Sequence, residues 1–209
     1  MTSAAEAEAC FRAGALRAEL CRDLDADGLT PAAAEVLSAV AAQAGPIFVL
    51  VRRAADTFTL SPAETAALIE DVASMAALHV DGLVVGVLDR AGRVDECALT
   101  ELISAAGGLP VTFHRAIDQV ENPLAEVESL IRAGVSRVLT SGGAPTAWQG
   151  RATLRELVAL CAEDLTVLGG GGIRGNHVRE LVQETGLTEV HARASAIPDI
   201  SAALTGMHS

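Results

Sequence analysis

Aromatic residues are scarce in this chain, making up 2% of its 209 positions. A core with so few rings must be built from Ala, Val, Leu and Ile in closely spaced layers, which is the palette of parallel strands covered by helices. Basic charge is also scarce, with 15 Lys and Arg against 27 Asp and Glu and a formal charge of −12. That balance argues against a nucleic-acid partner, which wants a basic footprint to neutralise phosphates. Net charge of this sign serves solubility instead. The four cysteines, Cys10, Cys21, Cys97 and Cys161, are scattered. They form no CxxC pair and no disulfide framework, so a reducing cytoplasm is the expected setting. No apolar run approaches the ~20 residues that cross a bilayer, and the opening Met1-Thr2-Ser3-Ala4-Ala5-Glu6 is not a signal peptide. Neither a membrane nor a nucleic acid is expected as a partner.

What the chain does contain is a regular alternation of two patterns, with no linker or low-complexity tract, so residues 1–209 are read as one domain. Short runs rich in Val, Leu and Ile predict strands at Arg17–Cys21, Pro46–Arg52, Gly82–Asp89, Pro110–Arg115, Arg137–Ser141, Leu165–Gly169 and Glu189–Arg193. Helical patterns lie about Ser3–Ala13, Pro31–Ala44, Pro62–Leu78, Glu96–Ala106, Pro123–Ala133, Arg151–Ala162, Gly175–Thr185 and Ile197–Leu204. Thr30-Pro31, Ser61-Pro62 and Asn122-Pro123 each read as an N-cap followed by proline in the first turn. Gly14, Gly45, Gly107, Gly134 and Gly186 mark the stops. An unbroken series of such units predicts an α/β fold of the (β/α)8 barrel type rather than an open doubly wound sheet. The chain opens on a helix, so the barrel is expected to lack its first strand.

In such a barrel the carboxyl ends of the strands converge on one rim, where sites are built. Here they deliver Glu19, Cys21, Arg52, Arg53, Asp89, His114, Arg115, Thr140, Ser141, Gly170, Gly171, Gly172, His191 and Arg193. His114, in Val111-Thr112-Phe113-His114-Arg115-Ala116-Ile117-Asp118, is the first candidate for proton transfer or metal ligation, since its ordinary pKa lies nearest neutrality. The bland alternative is a strand-end histidine that satisfies backbone groups. Strand alternation allows His114 and Arg115 to face the same way only if the strand has already ended. The run Gly170-Gly171-Gly172, between a strand and a helix, offers bare amides to an anion, or is simply a tight turn. Arg52 could clamp a carboxylate or phosphate, or be a solvated surface charge. Asp89 ends an apolar strand and either meets a ligand or pairs with an arginine. Cys21 shares a face with Glu19 and reads as a soft copper(I) ligand or as an inert core thiol.

Several of these stretches resemble the copper homeostasis CutC family. They are Gly14-Ala15-Leu16-Arg17-Ala18-Glu19-Leu20-Cys21, Gly28-Leu29-Thr30-Pro31, Gly86-Val87-Leu88-Asp89, Thr112 to Asp118, Val138-Leu139-Thr140-Ser141-Gly142, Gly170 to Arg174 and Glu189-Val190-His191. The resemblance implies a cytoplasmic (β/α)8 barrel, often self-associating into a homo-oligomer, and a link to copper. It implies site positions at Glu19, Cys21, Arg52, Asp89, His114, Arg115, Asp118, Ser141 and His191. For copper as cofactor or cargo the candidate ligands are Cys21, His114 and His191. The chain departs from the family after His191, where Ala192-Arg193-Ala194 stands in place of small hydroxyl residues, and in two further places. It begins just beyond the family's first strand, which carries one of two proposed copper cysteines, so three alternatives stand: the chain associates, its N-terminal segment takes the strand's place, or the start lies upstream. Its loop Arg52-Arg53-Ala54-Ala55-Asp56-Thr57 replaces an arginine-proline-arginine-glycine-glycine-aspartate loop. The second functional reading is therefore an enzyme or sensor for a small anionic molecule, with His114 as acid or base, Asp89, Glu19, Arg115 and Asp118 beside it, and Arg52, Ser141, Gly170, Gly171, Gly172 and Arg193 holding the anion.

Overall fold

In the computed structural model, which describes residues 1–206, helices and strands alternate along the whole chain. The strands are β1 (Ala18–Leu20), β2 (Ile47–Leu50), β3 (Gly82–Val85), β4 (Val111–Phe113), β5 (Arg137–Thr140), β6 (Thr166–Gly169) and β7 (Glu189–Val190). The helices are α1 (Ala4–Arg12), α2 (Ala33–Ala41), α3 (Pro62–Ala76), α4 (Glu96–Ala105), α5 (Pro123–Ala133), α6 (Arg151–Cys161), α7 (Val178–Thr185) and α8 (Ile197–Leu204). All strands run parallel in one 7-stranded sheet, each paired with its neighbours in chain order. No helix among the described residues is long and apolar enough to cross a membrane.

Strand register sorts the residues into two faces. Ile47, Val49, Leu83, Val85, Val111, Phe113, Val138 and Val167 belong to the large core between sheet and helices. The opposite face carries Glu19, Phe48, Gly82, Val84, Thr112, Arg137, Leu139, Leu168 and Glu189, joined across the sheet by the pairs Glu19–Phe48, Phe48–Gly82, Val84–Thr112, Thr112–Arg137, Leu139–Leu168 and Leu168–Glu189. A sheet buried on both faces explains the near-continuous apolar strands. The inner face curls on itself: the Phe48 ring lies beneath the guanidinium groups of both Arg17 and Arg137, at 5.1 and 5.6 Å from its centroid. Glu189 joins the same two arginines at 2.6 and 3.1 Å, so β1, β5 and β7 meet across the amino-terminal end of the barrel.

No backbone pairing between β7 and β1 closes the sheet. Side chains span the opening instead, through Arg17 with Glu189 and His191 with Glu19. Met1 lies along the free edge of β1, donating its N–H to the Glu19 carbonyl at 2.8 Å and accepting the Cys21 N–H at 2.8 Å. Those two bonds are what a parallel neighbour would supply opposite Leu20.

Helix starts follow the sequence in most places. Ser61 and Glu64 form a reciprocal capping box on α3, Asn122 caps α5, and Ser3 caps α1. Thr30 departs from its expected capping role because its hydroxyl bonds both the N–H and the C=O of Arg52, and α2 starts at Ala33 with no side-chain cap. Helix α7 starts at Val178, three residues beyond the expected Gly175, because the 170–177 segment is held as a loop. Strands β3 and β7 end before Gly86 and His191, where the chain leaves the ladder to form the rim.

Candidate functional site

Strand β4 stops at Phe113, and His114 sits at its end with φ −80° and ψ −172°, followed by a short 3₁₀ turn, Arg115–Gln119. The early stop removes the strict alternation that would have sent His114 and Arg115 to opposite faces. His114 is only 6% exposed. Its Nδ1 accepts the N–H of Ala116 at 3.1 Å, so in the neutral ring the proton resides on Nε2. That Nε2 finds no hydrogen-bond partner among the described residues. Burial, and then the nearby Arg52 charge, push the His114 pKa from 6.5 down to about 3. The backbone-capping alternative therefore accounts for one ring nitrogen and leaves the other unused. An acid–base role near neutrality does not suit this environment, because the one free lone pair is occupied and the ring stays uncharged.

Arg52 leaves β2 just beside this ring and is 8% exposed, so it is not a solvated surface charge. Its terminal nitrogens donate to the carbonyls of Asp27, Gly28 and Ala55, which staple two rim loops together. Its Nε has no partner among the described residues. Desolvation lowers its pKa, with Asp27 and Asp56 opposing that shift. Phe58, in the loop after β2, covers both groups: the guanidinium lies 4.6 Å from its ring centroid and the His114 ring 5.0 Å. Neither Phe58 nor Gly86 stands out in sequence as a site residue, and Gly86 matters because the His114 ring fills the place of its missing side chain. A lone aromatic in the post-β2 loop of an aromatic-poor chain was the available signal for Phe58.

A second group forms on the other side of the mouth. Asp118 accepts from Arg115 Nε at 2.7 Å, Thr140 Oγ1 at 2.5 Å, and the N–H groups of Ser141 and Gly143 at 3.0 and 3.1 Å. Ser141 Oγ lies 2.9 Å from the same carboxylate and accepts from Arg115. So saturated a carboxylate ties the β4 and β5 ends together and has little capacity left for a ligand. Thr140, expected at the rim beside Ser141, is the strand-end hydroxyl that completes this lock. Arg115 is the accessible member, its side chain 43% exposed.

Gly171 and Gly172 adopt positive φ, +96° and +71°. A Cβ on Gly171 would stand 3.1 Å from Ser141 Cβ and 3.6 Å from Arg115 Cζ, so the turn approaches the guanidinium closely. The Gly170 N–H is used by the Thr140 carbonyl, whereas those of Gly171 and Gly172 donate to no backbone carbonyl of the described residues. Two of the three glycine amides thus remain for an anion.

The remaining candidates separate. Asp89 is bound within its own turn, by the N–H groups of Ala91 and Arg93 and by the Arg93 side chain, with its pKa lowered chiefly by the Arg93 N–H. It therefore pairs with an arginine rather than facing the barrel. Arg193 is exposed, three residues beyond the end of β7. Glu19 and His191 face each other across the opening at 3.8 Å. Cys21 is buried with Phe48, Leu50 and Val84, and burial pushes its thiol pKa up.

Copper(I) seeks several soft donors. Cys21 is the one cysteine at this rim, since Cys10, Cys97 and Cys161 lie on α1, α4 and α6. His114 presents an N–H rather than a lone pair, and no cluster of three His, Cys, Asp or Glu side chains among the described residues is placed to hold a metal. The set Cys21, His114 and His191 does not fit a copper cage.

The model of the CutC family matches residues 1–196 of the chain. A family protein CutC from Xylella fastidiosa is 40% identical over 206 residues, covering 99% of this chain and 76% of the relative. One from Xanthomonas axonopodis pv. citri is 39% identical over 195 residues, 93% of this chain and 81% of its own length. Among solved structures, CutC from Streptococcus agalactiae, provisionally a copper homeostasis protein, superimposes with a TM-score of 0.79 at 26% identity, over 84% of this chain and 87% of that one. The aldolase QR15 superimposes with a TM-score of 0.70 at 15% identity, covering 97% and 89%, a likeness of fold alone.

Proposed function

The chain belongs to the CutC family, and from that premise we propose that the carboxyl-terminal mouth of its barrel binds a small anionic molecule. One observation carries this reading: Arg52 Nε and His114 Nε2 are two buried N–H donors with no acceptor among the described residues. Leaving a buried donor unpaired costs about 1–3 kcal/mol, and such a cost persists where a ligand makes up the bond. Arg115 beside the open amides of Gly171 and Gly172 adds a second anionic foothold at the same end of the strands, the end where barrel enzymes place their sites. We place the protein in the cytoplasm, where its four cysteines stay reduced. The name of the Streptococcus agalactiae relative points to copper. For this chain we place any copper effect outside a Cys21–His114–His191 cage, because those donors do not form one.

Thermal unfolding with inorganic phosphate, sulfate, acetate and pyruvate tests the reading. A ligand at one hundred times its Kd stabilises the fold by about 2.7 kcal/mol. Stabilisation by at least one anion is expected, and its loss in Arg52→Met is expected for whichever anion occupies the Arg52 side. If no anion shifts the transition, the mouth is not an anion site.

A further inference from the structure

The two unpartnered donors differ in kind, and that difference restricts what they recognise. Arg52 is charged, and its terminal nitrogens give three bonds, to the carbonyls of Asp27, Gly28 and Ala55, which leaves the buried Nε without any partner and one N–H of Nη2 uncommitted. His114 offers one N–H. Its Nδ1 accepts from the Ala116 backbone, which assigns the proton to Nε2, and the ring cannot swing toward Gly86 because it already fills the space there. Phe58 lies against both groups, and both side chains are buried. The subsite thus holds one cationic and one neutral donor side chain beneath the same aromatic ring.

Phosphate matches this poorly. Its terminal oxygens demand more donors than these two side chains supply, and each buried oxygen left unpaired carries a desolvation cost. Phosphate suits the Arg115 side, with the glycine amides, better. A carboxylate supplies the acceptor for the Arg52 N–H, and an uncharged oxygen with lone pairs and no hydrogen suits the neutral His114 donor. Resting on the reading that the mouth is an anion site, we propose that the Arg52–His114 subsite takes a small carboxylate that bears an adjacent carbonyl, the class of 2-oxo acids, with the carbonyl oxygen on His114 Nε2 and the carboxylate on Arg52. His114 acts there as a fixed donor.

Pyruvate and acetate distinguish the two bonds, since they share the carboxylate and only pyruvate has the carbonyl. Calorimetric titration of the full chain is expected to show pyruvate binding about tenfold more tightly than acetate, the size of one hydrogen bond. His114→Phe is expected to abolish that preference while acetate still binds, and His114→Gln, which keeps an N–H donor, to retain part of it. If His114→Phe does not fold, Gly86→Ala decides, because displacing the ring must lower the preference with the histidine still present. Nitrogen-15 spectra of histidine-labelled protein should show a neutral ring protonated on Nε2 at pH 7. Equal binding of pyruvate and acetate, a preference that survives both the Phe and the Ala change, or a ring protonated on Nδ1 overturns the assignment. Binding of phosphate without discrimination between pyruvate and acetate would sink this inference and leave the anion site standing, whereas binding of no anion would sink both.

Discussion

The His114 ring occupies the space that a side chain on Gly86 would need: a Cβ there would stand 2.3 Å from His114 Cε1 and 2.4 Å from Nδ1. Gly86 has no positive φ, so the glycine provides room rather than an unusual backbone. Gly86→Ala is expected to destabilise the fold by about 1–3 kcal/mol, the range for forcing extra volume into a packed interior. Urea unfolding measures the loss, and the ring-nitrogen shifts of His114 should change in the same protein. An unchanged midpoint would show that the ring has somewhere else to go.

Burial and the Arg52 charge hold His114 neutral down to about pH 3, against an ordinary value of 6.5. Between those values the unfolded chain binds a proton that the folded chain does not, so this residue's contribution is full above pH 6.5 and falls as the pH drops. The slope is about 1.4 kcal/mol per pH unit and levels off once the folded ring protonates. His114→Gln removes the effect. The stability gap between wild type and the Gln variant should therefore shift in favour of the variant on acidification, read from urea midpoints across that window. Parallel curves would mean that the ring titrates normally in the folded protein.

Asp118 gathers donors from Arg115, Thr140, Ser141 and Gly143 while its side chain is only 8% exposed. Asp118→Ala leaves those donors unpaired and the Arg115 charge without its partner. A loss of about 1.5–3 kcal/mol is expected, the range for hydrogen bonds to a charged group, since the half-exposed Arg115 can turn to water. Calorimetric unfolding tests it, and a loss under 1 kcal/mol would show that water replaces the carboxylate at little cost.

Glu189 closes the opposite end of the barrel. Burial alone would push its carboxyl up, yet Arg17 and then Arg137 hold it below the usual carboxylate range. Its contribution is thus present at neutral pH and disappears as acid protonates it in the folded state. Glu189→Gln removes the charge between two arginines that share the Phe48 ring. The expected cost is about 1.5–3 kcal/mol, the range for hydrogen bonds to charged groups, measured at neutral pH by urea unfolding. The difference from wild type should shrink in acid.

Much of the fold is legible along the chain because its causes are local. Apolar runs of four or five residues, N-caps at Ser61 and Asn122, and glycines 134 and 186 in the left-handed region mark units whose order alone dictates a parallel sheet. Thr30 misleads because the competing partner, the Arg52 backbone, is 22 residues away. Asp89 misleads for the opposite reason: its partners lie within four residues, in a turn that consumes the carboxylate before it can reach the barrel. Arg52 and His114 are visible as strand-end residues, but Phe58 is not, since its importance lies in covering both.

By itself the sequence determined which residues reach the rim, through strand periodicity and the abrupt change from apolar to polar at each strand end. The tertiary structure decided what those residues can do there. The tautomer of His114 depends on the Ala116 N–H, its confinement on Gly86 and Phe58, and its neutrality on burial beside Arg52. Arg52 keeps its Nε without a partner while two separate loops bring their carbonyls to its other nitrogens. Protonation and hydrogen-bond capacity are properties of an environment, and this one is assembled from the ends of β2, β3 and β4 and the loops after β1 and β2.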